Sequence, residues 1–147
     1  MRSDLLFSCV ALALAAMCVP AQANNIRVEN IDMLDQDTTL KRVVVEFDLS
    51  WENSWHNNLN HDAAWVFVKF RAPGSNEWEH AYLSTNPAAH APLPVGAALS
   101  VGTTEIGGTE RGMGVFIYSS VMQTGTVSYV RTRLMWDYGA SGYNWEQ

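Results

Sequence analysis

The densest run of chemistry-bearing side chains is Trp51–Asp62, WENSWHNNLNHD, which holds two Trp, two His, four Asn, one Glu and one Asp. Indole faces beside amides and carboxylates suit a sugar: the ring stacks on the apolar C–H face, and the polar groups bond the hydroxyls. The candidate ligand-binding set is Trp55, His56, Asn57, Asn58, Asn60 and Asp62. The same composition also serves a long loop, whose Asn side chains bond nearby backbone while its Trp residues pack inward. Trp51 continues the apolar phase of the strand before it and is assigned to the core. Trp55 and His56 are the residues expected at the surface.

Other constellations fall short of a site. His56, His61, His80 and His90 are scattered over a loop, a second strand and a proline loop. A zinc site needs three or four converging ligands, so no metal or other cofactor is expected. His80 alternates with Trp78 and Tyr82 and reads as a packed side chain. Asp32, Asp35 and Asp37 lack the glycine and closing glutamate of a calcium loop and read as solvated turn carboxylates. Glu46, Asp48, Glu52, Glu77 and Glu79 alternate outward on strands, as a wet sheet face does rather than a glycosidase pair. Neither a G-x-S-x-G elbow nor a glycine-rich phosphate loop is present. No residue is assigned a catalytic role and the chain is not expected to be an enzyme. Arg131 and Arg133 are expected to share a face with Tyr129, as a charged strand edge or a small anion-binding spot.

These residues sit in a chain that reads as strands. In Leu40–Glu52, residues Val43, Val45, Phe47, Leu49 and Trp51 fall on one face and mostly polar residues on the other. Such alternation specifies a half-buried antiparallel strand. Ile26–Leu34 is a shorter strand, with Ile26 and Val28 inward and an irregularity at Asn30-Ile31, followed by a polar turn over Asp35–Thr39. Ala63–Phe70 is apolar on both faces, which predicts a central strand or a face that meets a partner. With Glu77–Leu83 it reads as a hairpin closed by a five-residue turn at Ala72–Asn76. Ser84–Gly96 carries three prolines and is expected to be a loop. Ala97–Val101 is a short strand, Gly102–Gly114 a loop with a short strand near Thr104–Ile106, and Gly114–Ser119 a buried strand. Gln123–Gly125 reads as a turn and Thr126–Tyr138 as a long last strand. About seven strands with turns every ten residues or so predict an all-β antiparallel β-sandwich, Ig-like or fibronectin-like in general shape.

Length and charge bound the rest. The 147 residues suffice for one domain. A net charge of −6 argues against partners that need a basic face, namely nucleic acid and anionic lipid. Residues 1–23 read as a signal peptide: Arg2, an apolar run Leu5–Val19 too short to span a bilayer, and the small-x-small pattern Ala21-Gln22-Ala23. Both cysteines, Cys9 and Cys18, fall within it, so the exported chain is expected to fold without disulfides. The domain is assigned to 24–140 with a loose tail at 141–147. The product is expected to be periplasmic or secreted, with no membrane insertion after cleavage.

Five strings in order carry a resemblance: Ser50–Trp55 (SWENSW), Asp62–Phe70 (DAAWVFVKF), Trp78–Leu83 (WEHAYL), Gly114–Tyr118 (GVFIY) and Leu134–Gly139 (LMWDYG). They resemble the N-terminal β-sandwich accessory domain of secreted bacterial formylglycine-generating-enzyme-like proteins, the sulfatase-modifying-factor family. The resemblance spans about residues 40–140 and implies a non-catalytic accessory module, with any catalysis in a domain that follows; the residues of that domain are absent here. Three functional expectations result. The chain is a binding module for a protein or glycan; or a carbohydrate-binding module centred on residues 51–62; or the front part of a sulfatase-modifying-factor-like enzyme.

Overall fold

The computed structural model describes residues 24–143; the predicted signal peptide and residues 144–147 lie outside the described residues. The chain forms β1 (Arg27–Asp37), β2 (Arg42–His56), β3 (Ala64–Val66), β4 (Lys69–Phe70), β5 (Glu79–His80), β6 (Ala97–Ile106), β7 (Thr109–Ser119) and β8 (Gln123–Asp137), with a 3-10 turn at Pro87–His90. All pairing is antiparallel, in one sheet of order β1-β2-β8, a second of order β3-β7-β6, and a small β4-β5 ribbon. The fold is all-β, with antiparallel sheets packed together.

The core follows from the alternation in β2. Val43, Val45, Phe47, Leu49 and Trp51 are all buried, and β8 faces them with Val127, Tyr129, Leu134 and Trp136. From the second sheet come Val115, Ile117 and Ala64. Phe70, Ala81 and Leu83 close the end.

Two bulges set which side chains face in. On β1, Asn30 has φ 52° and the register slips between Glu29 and Asp32, at the irregularity expected there. On β8, Arg131 has φ 57° and the register slips opposite Phe47–Leu49. An extra residue in one strand reverses the phase beyond it. So Tyr129 is buried while Arg131 and Arg133 point out, and the three do not share a face as period-two counting implied. One carboxylate serves both bulges: Asp48 accepts from Asn30 Nδ2 at 2.7 Å and from the Arg131 N–H at 2.8 Å. Those two hydrogen bonds, the Asn30 one first, hold its carboxyl below the usual range. Beside it Glu46 accepts from Arg133 Nε at 2.7 Å and Arg131 Nε at 3.3 Å. Arg133 is the main reason its carboxyl is also held low.

Several local expectations are corrected. Val28 does lie opposite Leu49 on the core-side face, but it and Ile26 are exposed because the second sheet does not extend over β1. Ala63–Phe70 is broken, not one central strand: β3 is an edge of the second sheet, and β4 turns to pair with β5. The expected hairpin shrinks to the pairs Lys69↔His80 and Phe70↔Glu79. Gly102–Gly114 is a hairpin, β6 to β7, turning at Gly107-Gly108 with φ 58° and 75°. A two-residue Gly-Gly loop between strands is a turn that needs positive φ at both positions. Gln123–Gly125 lies in β8, paired with Ser54–His56, and the chain turns earlier, at Ser120–Met122. Ser141 and Tyr143 are held in place: Ser141 Oγ accepts from the Tyr82 N–H and Trp136 Nε1, and Tyr143 stacks on Trp136.

The two sheets are joined by the main chain of Tyr82–Ser84. The Leu83 N–H donates to Gly112 O on β7, while Ser84 N–H donates to Met135 O and Tyr82 O accepts from the Asp137 N–H on β8. Leu83 O passes so close to Gly112 that a Cβ there would meet it at 2.4 Å. The proline loop is pinned by His90, which is fully buried. Its Nε2–H donates to Ser84 O and its Nδ1 accepts the Met135 N–H, both at 3.0 Å, a pairing only the neutral ring can make. Burial accordingly pushes its pKa below the ordinary histidine value.

Two outcomes are expected. Gly112→Ala should destabilise by more than about 2 kcal/mol, since backbone cannot yield as a side-chain tip can; urea denaturation measures this. Because folded His90 resists protonation, its contribution is complete above pH of about 6.5 and is lost as pH falls below that. Glu46 and Asp48 add their own losses only at lower pH, through the carboxylate range. Urea midpoints should therefore fall between pH 7 and 5 in the wild type, and much less so in His90→Gln.

Candidate functional site

The Trp51–Asp62 segment is built around Asp62. Its Oδ2 accepts from Trp51 Nε1 at 3.0 Å, and its Oδ1 accepts from Ser54 Oγ at 2.9 Å and the Trp55 N–H at 3.1 Å. Trp51 and Ser54 are buried, so this carboxylate satisfies polar atoms at the rim of the core. Asn57 Oδ1 accepts from the N–H groups of Leu59 and Asn60, an Asx turn, and Asn60 Oδ1 accepts from the His61 N–H. His56 and His61 face each other across this turn, and His56 Nδ1 donates to Ser119 O at 2.7 Å.

The predicted set is thus only partly available. His56, Asn57, Asn60 and Asp62 use their polar atoms to shape the loop. Trp55 is 39% exposed, on β2 opposite Thr124, and makes no ring contact among the described residues. Asn58 is exposed at the turn. Among the described residues no group of three or more His, Cys, Asp or Glu is placed to hold a metal ion.

A different surface gathers aromatic rings. Trp65 on β3 and Phe116 on β7 are cross-strand partners with centroids 4.5 Å apart, and they are 40% and 44% exposed. Both point away from the core, since their neighbours Ala64, Val115 and Ile117 are buried. The six-membered ring of Trp65 is seated on Gly102 and Gly114, themselves a cross-strand pair. A Cβ on either would come within 2.6 Å of the indole. Any side chain at those two positions would lift the ring off the sheet; glycine lets it lie against the backbone with its other side in solvent.

The rings continue along β7. Toward one end Tyr118 stacks on His61 at 4.3 Å and 24°, and His61 meets His56 at 5.1 Å. Toward the other end Phe67, 47% exposed, stacks on His80 at 5.9 Å and 18°. His80 lies against Tyr82, over which the Arg111 guanidinium sits at 5.5 Å. His80 Nε2 donates to Met113 O at the bulge of β7, which fixes this ring pair to the sheet. The result is an aromatic band in three parts: an exposed central pair, Trp65 and Phe116, with ring clusters at Tyr118–His61 and Phe67–His80 toward either end of β7. The loop at 57–60 lies at its Tyr118 end, so the segment chosen from composition borders the band without forming its centre.

Trp65, Phe116 and Phe67 are not in the predicted site set: Ala63–Phe70 reads as a central strand or a face that meets a partner, and Gly114–Ser119 as a buried strand, with no single ring picked out. The usable signal was their phase. Trp65 follows buried Ala64, Phe116 lies between buried Val115 and Ile117, and glycines stand beneath the Trp65 ring in β6 and β7.

Asp62→Ala should destabilise by about 2–4 kcal/mol, because it orphans the buried Trp51 and Ser54 donors; Asn57→Ala should cost about 1 kcal/mol, as loss of a comparable cap does. Chemical denaturation of the two variants checks the ranking. Searches of protein-family models, of curated proteins and of solved structures return no match to this chain.

Proposed function

We propose that this chain is a non-catalytic exported binding module that takes an extended polysaccharide along the outer face of the β3-β7-β6 sheet. The observation that carries the reading is the Trp65 ring lying on Gly102 and Gly114 beside Phe116, one side against the sheet and the other open. A pyranose presents an apolar face of axial C–H groups, and a fixed, pre-oriented ring stacks on it without ordering cost. Polar groups along the band (His61, Asn58, Arg111) are placed to meet hydroxyls at its margins. Large rings left exposed on one region of a surface, as Trp65, Phe67 and Phe116 are, support a surface that binds something. The resemblance of residues 40–140 to the accessory domain of formylglycine-generating-enzyme-like proteins supports the same class of role, a module that recognises rather than reacts.

A protein ligand is the second reading. Trp and Tyr are common interface anchors, and the accessory-domain resemblance is compatible with a partner chain. The seating of Trp65 favours the sugar, because a protein hot spot gains from a side chain that fills a pocket, whereas this ring forms a platform.

Affinity electrophoresis against soluble polysaccharides, with pull-down on insoluble cellulose and chitin, tests the reading. The wild type should be retained by at least one polymer. Trp65→Ala should weaken that retention about tenfold or more, in line with an anchoring Trp, while Trp55→Ala leaves it unchanged. Gly102→Ala, which meets only side-chain atoms of Trp65 and Phe116, should reduce binding with a melting temperature near wild type. Absence of retention on every polymer, or full retention by Trp65→Ala, would overturn it.

A further inference from the structure

The sandwich is closed along one side by Tyr82–Ser84 and open along the other, where β1 runs beyond the cover of the second sheet. In that opening lies a pocket of about 480 Å³, within the size range of small-ligand sites. Its lining takes in the core residues Val45, Phe70 and Trp136, the half-buried Val68, and Tyr143, whose ring stacks on Trp136. Met33 of β1, the cross-strand partner of buried Val45, forms a wall and is 50% exposed among the described residues.

The mouth is cationic in an otherwise acidic chain. Lys69 and Arg71 both line it and both are exposed. Among the described residues neither forms an ion pair; Arg71 sits over the Trp78 ring at 5.5 Å. The one carboxylate lining the pocket, Asp32, turns Oδ1 to the Met33 N–H at 2.8 Å. An apolar lining beside two cations without a carboxylate partner among the described residues suits an apolar body carrying an anionic group at one end.

We infer that this pocket binds a small amphipathic carboxylate, its hydrocarbon or aromatic part against Met33, Val68 and Tyr143 and its carboxylate at Lys69 and Arg71. The site is separate from the aromatic band and does not depend on the polysaccharide reading. Burial of an aromatic body supplies affinity, and the cations supply selection for the charged form over a neutral isostere.

Titration calorimetry of the full chain with 2-naphthoate and with 2-naphthamide tests it. The structure calls for one-to-one binding of 2-naphthoate, about fivefold or more tighter than the amide, as one or two exposed ion pairs allow. Lys69→Gln with Arg71→Gln, both at exposed positions, should bring the two ligands level. Val68→Trp should abolish binding of both by filling the pocket; the Gln double variant keeps the test decisive if that one fails to fold. No binding at millimolar ligand would overturn the inference, as would equal affinity for both ligands. Loss of binding in Trp65→Ala would assign the ligand to the aromatic band instead.

Discussion

The main chain of Tyr82–Ser84 holds together what would otherwise be two three-stranded sheets with a shared apolar filling. Hydrogen bonds run from it to Gly112 on one side and to Met135 and Asp137 on the other. Each bond satisfies a backbone group near the buried core, where an orphaned donor or acceptor would be costly. Gly112 is part of the device, because only a residue without Cβ lets Leu83 O approach. The buried neutral His90 extends it by tying the proline loop to the same strand. Closing the sandwich here leaves its other side open, and the uncovered inner face of β1 with the pocket beside it is the consequence.

Polar groups at the edges of the core decide orientation more than they add stability. Asp48 bonds a bulge on either side of β2 and thereby sets the phase of both β1 and β8. Asp48 and Glu46 are half-buried on the sheet face, the Glu46 side chain 14% exposed, where water and salt still reach the carboxylates and keep their net energies modest. What they determine is which residues of β8 turn inward after Arg131. Asp62 plays the corresponding part at the end of β2, where a carboxylate receives the indole N–H of a buried Trp and so lets the strand run from core into loop without an unsatisfied donor.

The aromatic band and the loop beside it show how similar residue types come to opposite uses. In Trp51–Asp62 most polar side chains fold back on their own backbone, which is what short Asn and Asp side chains do in turns. On β3 and β7 the rings have no such local partners, and glycine beneath Trp65 turns an exposed indole into a seated one. A ring fixed in this way has lost its rotamer freedom before any ligand arrives, which is the property that makes an aromatic surface useful for binding.

The all-β antiparallel class was legible from the chain alone, because period-two alternation in β2 allows no other reading and the burial of Val43 through Trp51 follows from it. The proline loop and the irregularity at Asn30 were legible for similarly local reasons: they depend on backbone conformations that particular residues favour or forbid. The rest depended on contacts far apart in sequence. A bulge at Arg131 is specified by Asp48, 83 residues earlier, and without that partner the alternation of β8 counts to the wrong face. Ala63–Phe70 has the composition of a central strand, yet its place at an edge depends on β7 having only one remaining side to offer. Composition singled out the Asn- and Trp-rich loop, but whether an amide faces a ligand or its own backbone is decided by the turn it closes. The outward phase of Trp65 and Phe116 can be counted along their strands, but their exposure was decided by the assembled sheets, since it depends on what the neighbouring elements leave uncovered.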